Sequence, residues 1–302
     1  MRVFVTGASG HIGSAVVPEL LAAGHGVVGL ARSEASAAAL EAAGAEVRRG
    51  TLDDLDGLRE AAAAADGVIH LAFKHDVAFS GGYEAASAAD LHAIEAIGDA
   101  LAGTHKPFVI TGGTAFLGRL ELGRAGTEDD VLDGGPRIDS ENLAIALAAR
   151  GVRSSAVRLP PTVHSSLDHH GFVPSMIDIA RKSGRAVYVG AGANVWPAVH
   201  TLDAAHLYRL ALEAAPAGSR LHAVADEGVP FRQIAEAIGR GLDVPVASIA
   251  ASEAAAQLGF LGAFVQINNP TSSAHTRELL RWRPTHAGLL ADLAERHYFE
   301  LR

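Results

Sequence analysis

The chain has 302 residues, 49% of them apolar, and a formal charge of −9; that is enough material for a sizeable core and the wrong sign for gripping phosphodiester backbones, so no nucleic-acid partner is expected. It has no cysteine, which removes disulfides, thiolate zinc sites, iron–sulfur clusters and cysteine nucleophiles. No stretch approaches the roughly 20 apolar residues of a membrane span, and no basic leader precedes the strand-like run at Arg2, so a soluble, cytoplasmic protein with no membrane partner is expected.

From the first residues, short β-branched runs alternate with longer amphipathic stretches, the pattern of a parallel sheet with crossover helices. Val3 to Val5, Val27 to Leu30, Val47 to Arg49, Val68 to Leu71, Phe108 to Thr111 and Ser155 to Leu159 are the expected strands. Ile12, Val16, Val17, Leu20 and Leu21 fall at helical spacing, and the Ala-rich segments 34 to 43, 54 to 65 and 84 to 102 read likewise. Pro18 is expected to bend the first helix, because it offers no amide to the Ser14 carbonyl. Beyond Leu159 the rhythm loosens: loops rich in Pro, Gly and His, a helix over Pro174 to Lys182, a short strand near Val187, a helix over Asp203 to Ala214 and a strand over Leu221 to Val224. Helices over Phe231 to Gly241, Ser252 to Leu258 and Ser273 to Leu280, and one after Pro284, complete the chain. The fold class expected is α/β: a doubly wound parallel sheet of Rossmann type with a smaller mixed C-terminal cap. Residues 1–163, completed by about 197–226, form the dinucleotide-binding core, and 164–196 with 227–302 form the substrate-binding cap, with a ligand cleft between them.

The strongest motif is VTGASGHIG, residues 5 to 13, between the first strand and the first helix. Its glycines, Gly7, Gly10 and Gly13, permit a tight turn, a close backbone approach to a pyrophosphate and close packing of helix on strand. Ser9, His11 and Ile12 complete the loop, and the helix N-terminus offers amides and partial positive charge to phosphates. At the end of the second strand, about 20 residues on, an acidic side chain would bind the adenosine ribose. Ala31-Arg32-Ser33 stands there instead, and a guanidinium suits a ribose 2′-phosphate. NADPH (NADP+) is the cofactor expected, bound through the loop together with Arg32 and Ser33.

These motifs, with DGVIHLAF (66 to 73), FVITGGTAFLG (108 to 118), SAVRLPPTVH (155 to 164), WPAVHTLDAAHLY (196 to 208) and RWRPTHAGLLADL near the end, resemble the extended branch of the short-chain dehydrogenase/reductase superfamily, which holds nucleotide-sugar epimerases and 3-beta-hydroxysteroid dehydrogenase-like proteins. The resemblance implies that Leu71, Ala72, Phe73 and Thr111, with the turn from Leu159 through Pro160 to Val163, flank the nicotinamide half of the cofactor. Gly50-Thr51-Leu52 replaces the usual Gly-Asp-Leu, leaving Thr51, Leu52 or Asp53 for the adenine contact. It implies, too, that helices 84 to 104 and 139 to 150 are the pair on which family dimers associate, so a homodimer is an expectation.

One departure reaches the chemistry. The superfamily carries Tyr-x-x-x-Lys on the helix before the strand ending at Leu159, the tyrosine passing a proton and the lysine lowering its pKa. Here, on the alignment implied by Ser140, Arg137 stands in the tyrosine place and Glu141 in the lysine place; none of the four tyrosines has a lysine four residues later. The chain resembles atypical members that keep the cofactor loop and lose the pair. Thr114 is the preferred substrate-oxygen ligand, with Thr111 beside it and Gly113 the other position that could match the family serine. His75, at the carboxyl edge of the fourth strand, is a candidate acid, and Arg137 a group to polarise a carbonyl or hold an anion. Tyr83 and His164 rank below them. No metal site is expected, since adjacent His169 and His170 lack a carboxylate at ligand spacing, and His200 reads as a structural histidine. The expectation is an NADPH-dependent reductase of a small carbonyl or related C=X substrate with an unusual proton relay. A non-catalytic NADP(H)-binding sensor or scaffold is the alternative, and an epimerase-like isomerase the third reading.

Overall fold

The computed structural model describes residues 1–300. Seven strands form one parallel sheet: β1 (Arg2–Thr6), β2 (Gly26–Ala31), β3 (Glu46–Arg49), β4 (Gly67–His70), β5 (Pro107–Gly113), β6 (Arg153–Leu159) and, far along the chain, Ser219–His222. Their connections are the crossover helices α1 (Gly13–Ala22), α2 (Glu34–Ala42) and α3 (Leu55–Ala64), a short turn α4 (His75–Val77), α5 (Tyr83–Leu101) and α6 (Ile138–Ala146). The spatial order puts β4 and β2 on either side of β1, so the topological switch point lies between β1 and β4. Ligands of doubly wound sheets enter the crevice at that point. Near-continuous apolar runs, such as Val3 to Val5 and Phe108 to Ile110, are buried, as strands covered on both faces require.

The cap is built on strands that pair far from their sequence neighbours. β7 (Thr162–His164), β9 (Val195–His200) and β11 (Asp226–Pro230) form a three-stranded sheet, and β8 (Ala186–Val189) pairs in parallel with β12 (Val246–Ile249); Ser219–His222 is therefore β10. Helices α7 (Phe172–Ser183) and α9 (Phe231–Leu242) complete this half, with shorter α10 (Ala254–Leu258), α11 (Leu261–Phe264) and α13 (Leu289–Asp292), while α8 (Thr201–Ala214) packs on α1 and the large sheet with α12 (Ala274–Leu280) beside it. A separate apolar cluster around Trp196, Phe231, Ile234 and Leu261 forms its core.

Three sequence expectations shift. The strand expected over Leu221 to Val224 begins at Ser219, because Gly218 N already bonds Ser154 O, and its ladder ends at His222. The helix expected after Pro284 is reduced to the turn of α13, where Asp226 Oδ2 accepts from Leu289 N, and a second turn at Arg296–Tyr298. Parts of the segment read as loops after Leu159 are β7 and β9. Helix α1 runs on through Pro18 to Ala22. Among the described residues no helix is long and apolar enough to cross a membrane.

Candidate cofactor and substrate cleft

The glycine loop is set by close approach. Gly7 holds φ +65°, and a Cβ there would meet Ala72 N at 2.7 Å; one at Gly13 would meet Gly7 O at 2.2 Å. Thus the loop rests directly on the end of β4 and on its own turn, while Ser9 and Gly10 are exposed. With the α1 N-terminus behind it, this cradle fits a pyrophosphate. Arg32 is exposed at the end of β2, its Nη1 3.2 Å from Asp76 Oδ2. Ser33 caps α2, accepting from Ser36 N at 3.1 Å. Thr51 Oγ1 accepts from Asp53 N, Leu52 is buried, and Lys74 Nζ holds the Asp53 carboxylate at 2.6 Å and 2.7 Å.

At the carboxyl ends of β1 and β4 lies a buried polar chain of which the sequence reading singled out Thr111 but not Thr6, His70 or Asp90. Thr6 and His70 face each other across β1 and β4, with Thr6 Oγ1 2.9 Å from His70 Nδ1 and His70 Nε2 3.3 Å from Asp90 Oδ1. Asp90 is fully enclosed on α5; burial opposes its ionisation, but the Arg137 charge and the His70 hydrogen bond outweigh it and hold the carboxyl below its ordinary range. Thr111 Oγ1 donates to His70 O at 3.0 Å and lies 2.8 Å from the Tyr208 hydroxyl, whose ionisation burial pushes up. The available signals were a histidine ending an apolar strand and an aspartate on the apolar face of an Ala-rich helix, each requiring a polar partner once buried.

Arg137 closes this chain toward the cleft. It sits in the left-handed region (φ 67°) just before α6, its side chain largely buried. Nη2 donates to Thr111 O at 2.8 Å, Nη1 lies 3.8 Å from Asp90 Oδ1, and the guanidinium covers the Phe73 ring at 4.2 Å. His75 meets the same ring edge-on at 5.1 Å; partial burial, then the Arg137 charge, lowers its pKa. Tyr83 contacts Phe73 at 6.2 Å, and burial raises its pKa against the pull of Arg137 and Arg119. Phe73, Thr111, His75, Arg137 and the lower-ranked Tyr83 are therefore brought together.

Thr114 is not with them. It is fully buried and its Oγ1 accepts from Asn269 Nδ2 at 3.1 Å, so its hydroxyl ties the end of β5 to the cap. Glu141 is turned away as well: it takes Arg158 Nη2 at 2.7 Å and Arg220 Nε at 2.8 Å. Burial works against this carboxylate, and the two guanidiniums more than offset it, lowering its pKa. The lysine place has thus become an interior ion cluster.

His11 leaves the glycine loop toward the cap, with Nε2 2.9 Å from Thr201 Oγ1 and Nδ1 3.7 Å from Asp168 Oδ1. Val163 follows the buried Pro160 into β7, and His164, next along, is enclosed with Nδ1 2.8 Å from Asp292 Oδ2. His200 accepts from Leu202 N at the start of α8 and stacks on His286, the structural role its position implied. Among the described residues no group of three or more His, Asp or Glu side chains is placed to hold a metal ion.

Comparison with known proteins agrees with this geometry. A sequence family described as NAD(P)H-binding matches residues 7–126, which run from the glycine loop past β5. An uncharacterized protein of Schizosaccharomyces pombe is 50% identical over 301 residues, covering 99% of this chain and 100% of the yeast protein. One of Saccharomyces cerevisiae is 43% identical over 298 residues, 97% of this chain and 98% of its own. The UDP-glucose 4-epimerase of Thermotoga maritima superposes with a TM-score of 0.80 at 16% identity, covering 99% of this chain and 98% of the epimerase. This chain belongs to the family of the two yeast proteins, and it shares its fold with the epimerase. A second structure of this fold, the dTDP-glucose 4,6-dehydratase of Streptomyces venezuelae solved with NAD bound, superposes with a TM-score of 0.78 at 20% identity, covering 97% of this chain and 95% of the dehydratase. Within this fold, the segment after β4 and the start of α6 bring Phe73, His75 and Arg137 together.

Proposed function

We propose that the protein is an NADPH-dependent reductase of a carbonyl or related C=X substrate, working without the Tyr-x-x-x-Lys pair. The observation that carries the reading is the Arg137 guanidinium, anchored on the Thr111 carbonyl and the Phe73 ring with His75 and Tyr83 beside it. A fixed cation at this point polarises a C=O and stabilises the negative charge that develops on oxygen. When bound, the reduced nicotinamide supplies the hydride. The remaining step is a proton delivered to the substrate oxygen, and His75 and Tyr83 are the exchangeable groups that share the Phe73 ring with Arg137. The lowered pKa of His75 makes its conjugate acid the stronger donor of the two. Exposed Arg32 at the end of β2, with Ser33 beside it, supports the phosphorylated dinucleotide.

The test is stopped-flow NADPH absorbance and fluorescence with wild type and Arg32→Ala, alone and with a panel of activated ketones, aldehydes and imines. Weaker NADPH binding by the variant, with NADH binding unchanged, and substrate-dependent oxidation by the wild type are expected. Binding with no oxidation across the panel would replace the reductase by a cofactor-binding sensor.

A further inference from the structure

We propose that the cleft takes a flat aromatic carbonyl compound, its ring held by a wall of aromatic side chains contributed from both sides of the cleft and its oxygen directed at Arg137. The proposal rests on the reductase reading above. The wall is continuous. From the Arg137 cation it passes through Phe73 to His75, from His75 to Phe79 at 5.6 Å, and from Phe79 to Phe260 of the cap at 4.8 Å. Phe260 in turn leans on Phe172 at the start of α7, at 6.2 Å. Tyr83 flanks the core end through Phe73.

Two features separate this wall from ordinary core. Phe79 is 48% exposed, Phe260 43% and Tyr83 36%, an uneconomical placement for rings that contribute by burial unless something covers them. The Phe79–Phe260 contact is also made between core and cap, from segments carrying Gly81 (φ 96°) and Gly259 (φ 57°), where an added Cβ would meet nothing within 4 Å. The chemistry of the wall selects the ligand: aromatic faces and edges stack on a planar apolar body, and the Arg137 cation at its inner end, already covering a ring, receives an electron-rich oxygen.

The experiment uses NADPH-loaded full-length protein, as wild type, Phe79→Ala, Phe260→Ala, the double variant and Phe260→Trp. Two readouts are taken: equilibrium binding of phenanthrene-9-carboxylate, a fluorescent ring that cannot be reduced as a ketone, and NADPH oxidation with 9,10-phenanthrenequinone against butane-2,3-dione. The single Ala variants are expected to weaken ring binding and raise KM for the quinone by about tenfold, as loss of one aromatic contact and its buried area implies, with the dione KM unchanged and Phe260→Trp near wild type. Both substituted side chains are about half exposed, and unchanged melting of the variants checks that the fold is kept. Absence of ring binding by wild type, or equal binding by wild type and double variant, overturns the proposal, while NADPH oxidation with reduction of the dione would leave the reductase standing. Ring binding lost in the double variant with neither carbonyl reduced upholds the aromatic site and removes the reductase.

Discussion

Arg137 and Glu141 are four residues apart, yet they meet opposite fates. Arg137 leaves the start of α6 toward the crevice and is held by a carbonyl, a carboxylate and a ring, so its charge is fixed in place before any substrate arrives. Arg137→Ala is therefore expected to lower kcat/KM of the proposed reduction by about 100-fold, the scale of losing one oxyanion-stabilising group; Arg137→Lys, which keeps the charge but loses the planar fork, is expected to recover only part of it. Steady-state kinetics on an aromatic ketone measures both. Glu141 points inward to Arg158 and Arg220. Removing its charge leaves two guanidiniums without their counter-ion in the interior, so Glu141→Gln is expected to cost about 3–5 kcal/mol, read by urea denaturation, while NADPH affinity of the folded fraction is unchanged. The replacement of the catalytic pair was legible in the sequence, as were His75 and Arg137 as candidates. The partners of Glu141 were not, because Arg158 lies on β6 and Arg220 on β10, brought to α6 only by the sheet.

At the scale of elements, the N-terminal half was readable because its signals are local. β1, β2, β4 and β5 are largely apolar runs, and the strands from β1 to β6 are joined by the crossover connections that the alternating pattern predicts. Apart from β8, expected near Val187, the cap strands escaped for the opposite reason. β9 contains Pro197, β7 follows Pro160 and Pro161, and β11 carries Gly228 and ends in Pro230, compositions that argue against strands when read alone. They form because β9 is paired on both sides, by β7 and β11, a long-range arrangement invisible to periodicity. The glycine loop is the element whose sequence and geometry coincide most closely. Because Gly7 holds positive φ and lies against the backbone of Leu71 and Ala72, Gly7→Ala must push the loop off the end of β4. The expected result is loss of NADPH binding in a fluorescence titration, with roughly 1–3 kcal/mol of stability lost to backbone strain.

On the scale of the whole molecule, the joint between core and cap runs through the cofactor loop itself. The Thr201 hydroxyl donates to His164 O at 3.2 Å and accepts from Ser165 Oγ at 2.8 Å, so it meets His11 as an acceptor, and His11 carries its proton on Nε2. That neutral imidazole links β1's loop to α8 and, through Thr201 and Ser165, to the cap. Burial first, and then the charges of His169, His164 and His170, lower the His11 pKa from 6.5 to about 4. Between those values the unfolded chain binds a proton that the folded one excludes, so stability is complete above pH 6.5 and falls as the pH drops toward 4, by about 3 kcal/mol at most. Chemical denaturation between pH 7 and 4.5 should show this slope, and His11→Gln, which has no titrating ring, should flatten it. The flattening is expected to be partial, since His75, His200 and His222 are also held below their ordinary value, each chiefly by burial, and stay in the variant. Saturating NADPH should reduce the wild-type slope further, because a pyrophosphate in the loop favours the charged imidazole and raises the folded pKa toward the unfolded one. A slope that NADPH leaves unchanged would separate His11 from the cofactor and leave it as a joint between core and cap alone.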